Sequence, residues 1–186
     1  AFWYRPLAVA EPFELGKVRQ FELSKLAIEA GATFTLGELV SVDVARQLAY
    51  TSGRAISYSM LLIACGARPT PEIEGAVTFR GPADTEKIQR LLAEIESGEV
   101  RRVAFAVPAG AVWSLPAYEL ALMTASRLHA RGITGAEVSL VTPESEPLQL
   151  FGREASQSVR ALLDESGIAV HTRTYPVEAR DGELLL

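Results

Sequence analysis

A chain of 186 residues is long enough to bury a core and fits one domain or two small lobes, and 48% hydrophobic with 22% charged residues is ordinary globular usage. A formal net charge of -5 excludes non-specific binding to nucleic acid, which needs a concentrated basic surface. One cysteine, Cys65, excludes an internal disulfide and any multi-cysteine metal site, and two histidines, His129 and His171, leave few transition-metal ligands.

The chain opens Ala1-Phe-Trp-Tyr-Arg-Pro-Leu-Ala, without a basic segment followed by an apolar one, so no secretory signal is read and a cytoplasmic location is expected. An alanine start in an aromatic run is expected of an excised or processed piece, or of a chain from which a tag was removed. Over Arg19–Ala30, Phe21, Leu23, Leu26 and Ala27 sit near helical spacing and Gly31 is placed to end a short helix. Thr33–Val44 suits strands around a turn at Gly37-Glu38, and Gln47–Ala49 leads through Thr51-Ser52-Gly53-Arg54 into Ala55–Tyr58, the pattern of a β-meander. Met60–Ala64 is a continuous apolar run, expected as a strand buried on both faces. It and Ala104–Val107 are the longest apolar runs, far short of the ~20 residues that span a bilayer.

Pro69–Gly81 is rich in Pro and Gly and predicts a crossover between lobes. Asp84 is placed to cap the next helix, with Ile88, Leu91, Leu92 and Ile95 on one face and Ser97-Gly98 as its stop. From there the pattern alternates: a strand at Val103–Val107, a helix at Pro116–Arg131 ended by Gly132, a strand at Glu137–Val141, a helix at Glu154–Glu165 ended by Gly167, and a strand at Ile168–Thr172. Such alternation implies parallel βαβ units with right-handed crossovers. The tail from Val177 predicts a hairpin around Asp181-Gly182, cut off in its second strand, so the chain is expected to be truncated at both ends.

The segment from Val103 to Ala121 joins a strand, a loop and a helix start, the arrangement in which free N–H groups and the helix dipole attract a dinucleotide phosphate. Pro116 suits the first helical turn. The usual fingerprint has three glycines. Here only Gly110 is present, Pro108 stands at the first glycine position, and the loop is about four residues longer than the standard spacing. Trp113 is read as filling the gap left by the missing glycines, the alternative being that it walls off the cofactor cleft. Beyond the next strand, Glu144 stands where a carboxylate reads the ribose 2′-hydroxyl of NAD and disfavours a 2′-phosphate. The competing reading makes Glu144 and Glu146 solvated loop charges. Glu119 is a favourable early charge on the helix dipole. His129 near the helix end and His171 within a strand need no catalytic role, and no serine, histidine and acid combination supports a hydrolase.

The run Leu61-Leu-Ile-Ala-Cys-Gly-Ala-Arg-Pro69 resembles the strand and turn, L-hydrophobic-x-A-T-G-x-x-P, that links the two nucleotide lobes of the FAD-dependent pyridine-nucleotide-disulfide oxidoreductases. Gly53-Arg-Ala-Ile-Ser-Tyr58 is similar to its lead-in, with Ser59 replacing the acid. Pro108-Ala-Gly110 with Trp113–Ala121 is similar to the variant loop of members related to sulfide:quinone reductases, flavocytochrome c sulfide dehydrogenases and type II NADH dehydrogenases. The resemblance implies an α/β fold: a Rossmann-like NAD(P)-binding lobe at 76–186 and a partial, mixed β-rich FAD lobe at 1–72 without its glycine-rich βαβ unit. It implies FAD as cofactor with NAD(P) as a second candidate, and small-molecule electron donor and acceptor as partners. Val40, Cys65 and Gly66 are then placed toward FAD, Pro108 and Gly110 in the nucleotide loop, Glu119 near a nicotinamide and Glu144 at the ribose. Cys65 replaces the usual threonine, has no partner cysteine, and is expected as a small buried hydrophobe. The function implied is electron transfer between NAD(P)H or a sulfur compound and a quinone or disulfide-type acceptor via FAD, with the isolated chain silent and inclined to self-associate through exposed apolar surface. The alternative is a non-catalytic nucleotide-binding or interaction module.

Overall fold

The computed structural model describes residues 2–66 and 73–186 and divides into two compact units. The first comprises residues 1–3 and 20–69, the second residues 4–19 and 70–186. β1 (Phe2–Tyr4) pairs with β2 (Arg19–Phe21) in a two-stranded ribbon.

In the first unit, α1 (Leu23–Glu29) is followed by the expected meander of β3 (Leu39–Asp43), β4 (Leu48–Thr51) and β5 (Ala55–Ser57), antiparallel throughout. Both turns are held by local polar groups, since Asp43 Oδ1 accepts from the Arg46 N–H at 3.0 Å and Thr51 Oγ1 from the Arg54 N–H at 3.1 Å. Thr33–Val44 contributes one strand rather than two.

The apolar run Met60–Ala64 forms no strand, and Met60, Leu62 and Ile63 are 89%, 87% and 55% exposed. A strand buried on both faces needs ladder partners and a covering layer on each side. Among the described residues no strand pairs with this run. The Pro69/Pro71 pair and residues 67–72 of the expected crossover lie outside the described residues.

The second unit is built on a parallel sheet, β6 (Arg102–Ala106), β7 (Glu137–Val141) and β8 (Ala169–His171), in that spatial order. α2 (Thr85–Ser97) precedes β6, α3 (Leu115–Ala130) connects β6 to β7, and α4 (Arg153–Glu165) connects β7 to β8. One core unites Ile88, Leu92 and Ile95 of α2, Val103 and Phe105 of β6, Tyr118 and Leu128 of α3, Leu140 of β7 and Leu163 of α4. The same core includes Val9 and Phe13, so residues 4–19 pack with the second unit rather than with the remainder of 1–72. Glu11 anchors that segment by accepting from the Val18 N–H at 2.6 Å and from Thr85 Oγ1 at 3.3 Å.

β9 (Glu178–Arg180) and β10 (Glu183–Leu185) form the expected hairpin, with positive φ at Asp181 (53°) and Gly182 (78°), the signature of a type I′ turn. The hairpin touches the chain at Gly75. There a side-chain carbon would lie 2.0 Å from the Ala179 carbonyl oxygen, and φ is 75°, so only glycine fits.

Asp84 occupies the cap position of α2 without capping it. Its carboxylate, fully buried, turns back to accept from the Arg80 N–H and Nε at 3.0 Å each and from Arg80 Nη2 at 2.8 Å, with Lys87 Nζ 3.0 Å away. These hydrogen bonds, Arg80's guanidinium foremost, hold the Asp84 carboxyl well below the usual carboxylate range against the opposing effect of burial. A depressed carboxyl stabilises the fold fully above its unfolded pKa of ~3.9 and loses that contribution as pH falls toward the folded value. Asp84→Ala is expected to cost about 1–2 kcal/mol at neutral pH, and the gap from the parent chain in thermal unfolding should narrow below pH ~4.

Candidate functional site

Parallel strands end their ladder together, so the loops after β6 and β7 emerge side by side: the Val107 N–H donates to the Val141 carbonyl at 2.8 Å. Pro108 therefore leads one loop and Thr142 the other at the same end of the sheet. This is the carboxyl end, where ligands of open α/β sheets bind.

The loop after β6 runs through Gly110, whose φ is 76° and where an added side-chain carbon would meet nothing within 4 Å. Glycine serves the backbone conformation there and leaves open space over the loop. The loop ends at Ser114, the cap residue of α3, whose side chain makes no capping bond to the helix. Its hydroxyl donates instead to Glu144 Oε1 at 3.1 Å.

Glu144 is the centre of the arrangement. Its Oε2 accepts from Tyr118 OH at 2.6 Å and from Thr142 Oγ1 at 2.9 Å, while its own N–H donates to Thr142 Oγ1 at 3.3 Å. A carboxylate offers about four acceptor positions, and three hydroxyls occupy three of them, with Oε1 the less engaged oxygen. The reading of Glu144 as a freely solvated loop charge is thus overturned: it is half-buried and held from two elements. Tyr118 is buried on α3, and burial first, then the Glu144 carboxylate, pushes its hydroxyl well above the usual range, keeping it a proton donor.

The backbone around this group is strained. Leu148 (φ 48°) and Arg173 (φ 53°) adopt left-handed conformations that non-glycine residues avoid. Leu148 donates its N–H to Tyr118 OH at 3.4 Å, and Arg173 donates its N–H to the Glu144 carbonyl at 2.9 Å. Two of the five positive-φ non-glycine residues among the described residues thus flank one carboxylate, and such strain occurs at functional sites.

Glu119, also on α3, is half-buried, and burial raises its carboxyl above the usual range. The structure brings Pro108, Gly110, Glu119 and Glu144 to the second unit. Val40, Cys65 and Gly66 lie in the first. Val40 is 67% exposed. Cys65 is exposed rather than buried, and among the described residues no strand pairs with the run that carries it. Trp113 fills no gap: it is 56% exposed and meets the Phe151 ring edge-on. Sequence reasoning missed Ser114, Tyr118 and Thr142 as the holders of Glu144; the only local signal was a buried-type aromatic in the first turn of an otherwise aliphatic helix.

The sequence pattern of the pyridine nucleotide-disulphide oxidoreductases matches residues 7–185. The chain belongs to that family. The sulfide:quinone oxidoreductase of the hyperthermophilic bacterium Aquifex aeolicus superposes with a TM-score of 0.78 at 22% identity, over 98% of this chain and 45% of that one. NDH2 of Plasmodium falciparum in complex with NADH gives 0.65 at 15% identity, over 98% and 43%. The ferredoxin reductase of the CYP199A2 system of Rhodopseudomonas palustris gives 0.60 at 19%, over 98% and 44%. A sequence search of curated proteins gave no match. The chain spans less than half the length of these structural relatives, whose likeness shows the fold.

The cofactors of this family of oxidoreductases are FAD and NAD(P). The second unit fits a pyridine nucleotide: an open glycine turn, a helix amino end free of a side-chain cap, and an immobilised carboxylate converge at one end of the sheet. In the first unit Val40, Cys65 and Gly66, the residues that the resemblance assigns to FAD, are exposed. No helix among the described residues is long and apolar enough to cross a membrane.

Proposed function

We propose that this chain supplies the pyridine-nucleotide lobe and part of the flavin lobe of an oxidoreductase that moves electrons between NAD(P)H or a sulfur compound and a quinone or disulfide-type acceptor via FAD. The names of the relatives, a sulfide:quinone oxidoreductase and an NADH-bound NDH2, include sulfide, quinone and NADH among those donors and acceptors. FAD would supply the redox chemistry, and the protein's part is to bind and orient.

One observation carries the nucleotide reading: a carboxylate immobilised by three hydroxyls at the end of the second parallel strand, facing the amino end of the helix that follows the first. There the remaining acceptor position of Glu144, on Oε1, takes a ribose hydroxyl, and α3 presents its positive pole to a diphosphate. A 2′-phosphate beside Glu144 is repelled, so NADH is the preferred form. Pro108 and Gly110 shape the loop over the diphosphate. Glu119, partly desolvated in the second turn of α3, stands toward the nicotinamide. Val40, Cys65 and Gly66 are assigned to the flavin wall by family position.

Calorimetric titration of the chain with NADH, NADPH and FAD tests this. NADH is expected to bind, NADPH more weakly, and FAD not measurably, because the chain contains no glycine-rich turn to grip its pyrophosphate. The purified chain is expected to show no flavin absorbance and no NADH oxidation with a quinone acceptor. Flavin colour with turnover would overturn that silence, and binding of none of the three would favour a non-catalytic interaction module.

A further inference from the structure

The helix α1 buries none of its residues. Leu23, Leu26 and Ala27 fall on one face by their spacing of three and four, and that face lines a groove together with Phe34 of the following loop and Ile56 of β5. The groove encloses about 580 Å³ and lies wholly within the first unit. Small-molecule sites of ~300–1,000 Å³ have this make-up, apolar walls with a few placed polar groups. Leu23 is 41% and Phe34 46% exposed, so apolar surface from both the helix and the loop stands in water.

The charge in the groove is that of Arg54. Residues 20–66 contain three cations, of which Lys25 pairs with Glu22 at 3.0 Å and Arg46 with Asp43 at 3.8 Å. Arg54 has no carboxylate partner among the described residues, and its Nη2 donates to Thr35 Oγ1, another lining group, at 2.6 Å. Its backbone is fixed on both sides: the N–H donates to Thr51 Oγ1 at 3.1 Å, and the carbonyl accepts from the Thr51 N–H and hydroxyl at 2.8 Å each. A guanidinium presents a rigid fork of N–H donors, and with Thr35 occupying one, the others match the two oxygens of a carboxylate. An unpaired, immobilised cation among apolar walls complements an anionic head on an apolar tail.

We propose that this groove binds an aliphatic carboxylate, its chain lying against Leu23, Leu26, Phe34 and Ile56 and its carboxylate forked on Arg54. The site belongs to the other unit from Glu144, and the proposal is independent of the nucleotide reading. Affinity should rise with chain length, by up to about fourfold per methylene where burial is complete.

The test is calorimetric titration of the full chain with decanoate below its micellar concentration, and with decyltrimethylammonium, the same tail under the opposite charge. Decanoate is expected to bind once per chain, and the cation at least about tenfold more weakly. Arg54→Gln should weaken decanoate by about tenfold without weakening the cation, and Leu26→Ser should weaken both. Arg54 is exposed and Leu26 is 38% exposed, so neither substitution empties a core, and circular dichroism checks that each variant is folded. In the unsubstituted chain, the NMR amide signals of Thr35 and Ile56 are expected to shift through the decanoate titration. Absence of decanoate binding, equal affinity for the two ligands, affinity unaltered in Arg54→Gln, or unmoved Thr35 and Ile56 signals would each overturn the proposal. Sedimentation provides the other arm: a dimer that Leu26→Ser dissociates and decanoate does not would make the groove a contact between copies and refute the site.

Discussion

Glu144→Ala is expected to weaken NADH binding by about 30-fold, the equivalent of one or two hydrogen bonds to a charged acceptor. NADPH should be affected far less, and its affinity relative to NADH should rise, because the same change removes a negative charge from beside the 2′-phosphate. The ratio of the two affinities is the informative quantity. A variant that merely loosened the loop would weaken both nucleotides together, whereas loss of the ribose reader inverts the preference. Glu144→Gln keeps an acceptor for Tyr118 and Thr142 but loses the charge, so it should hold an intermediate ratio with near-parental thermal stability. An unaltered ratio in both variants would mean that Glu144 serves only to pin its three hydroxyl partners.

Leu140→Ala should cost about 3–5 kcal/mol. Leu140 is at 0% exposure on the central strand, opposite Phe105 of β6 and Val170 of β8, so the cavity left behind is enclosed by strands on either side and by the helices above them. A rigid parallel sheet relaxes little into such a void, which places the expected cost in the upper part of the range. Thermal unfolding followed by circular dichroism reads it directly. Leu62→Ala provides the contrast: at 87% exposure it is expected to change stability by less than about 0.5 kcal/mol. A large loss at Leu62 would show that Met60–Ala64 is buried after all, as its composition alone predicts.

The part of the second unit from α2 to β8 was legible in sequence. β7 coincides with its expected bounds, α2, α3 and α4 begin and end within a residue or two of theirs, and each is followed by its glycine. Those signals are local: a 3.6-residue apolar period, a helix stop, a short β-branched run between them. The place of Glu144 was legible too, since the topology of a βαβ unit dictates which loop follows the second strand. Its surroundings were not. Ser114 and Tyr118 lie 30 and 26 residues from Glu144 along the chain, and no spacing rule links them.

The first unit was read less well, for a related reason. Its meander is encoded by turn residues close together, and it formed. Met60–Ala64 and Cys65 were assigned to a buried strand on apolar composition alone, and composition states a wish for burial without naming the neighbour that would grant it. Asp84 shows the same limit on a smaller scale: the residue type suited a helix cap, but an arginine four residues earlier competed for the carboxylate and won, two charge-assisted bonds from Arg80 outweighing one to a backbone N–H.

The amino-acid order by itself determined the βαβαβ half, its helix ends, the terminal hairpin and the family, because each is written in periodicities and turn chemistry spanning a few residues. Only the tertiary structure decided that residues 4–19 join the second core, that Met60–Ala64 pairs with no strand among the described residues, that Trp113 faces outward beside Phe151, and that three hydroxyls grip Glu144. These outcomes depend on which groups meet across long stretches of chain, and burial and hydrogen bonding are settled by the partner that arrives, not by the residue that waits for it.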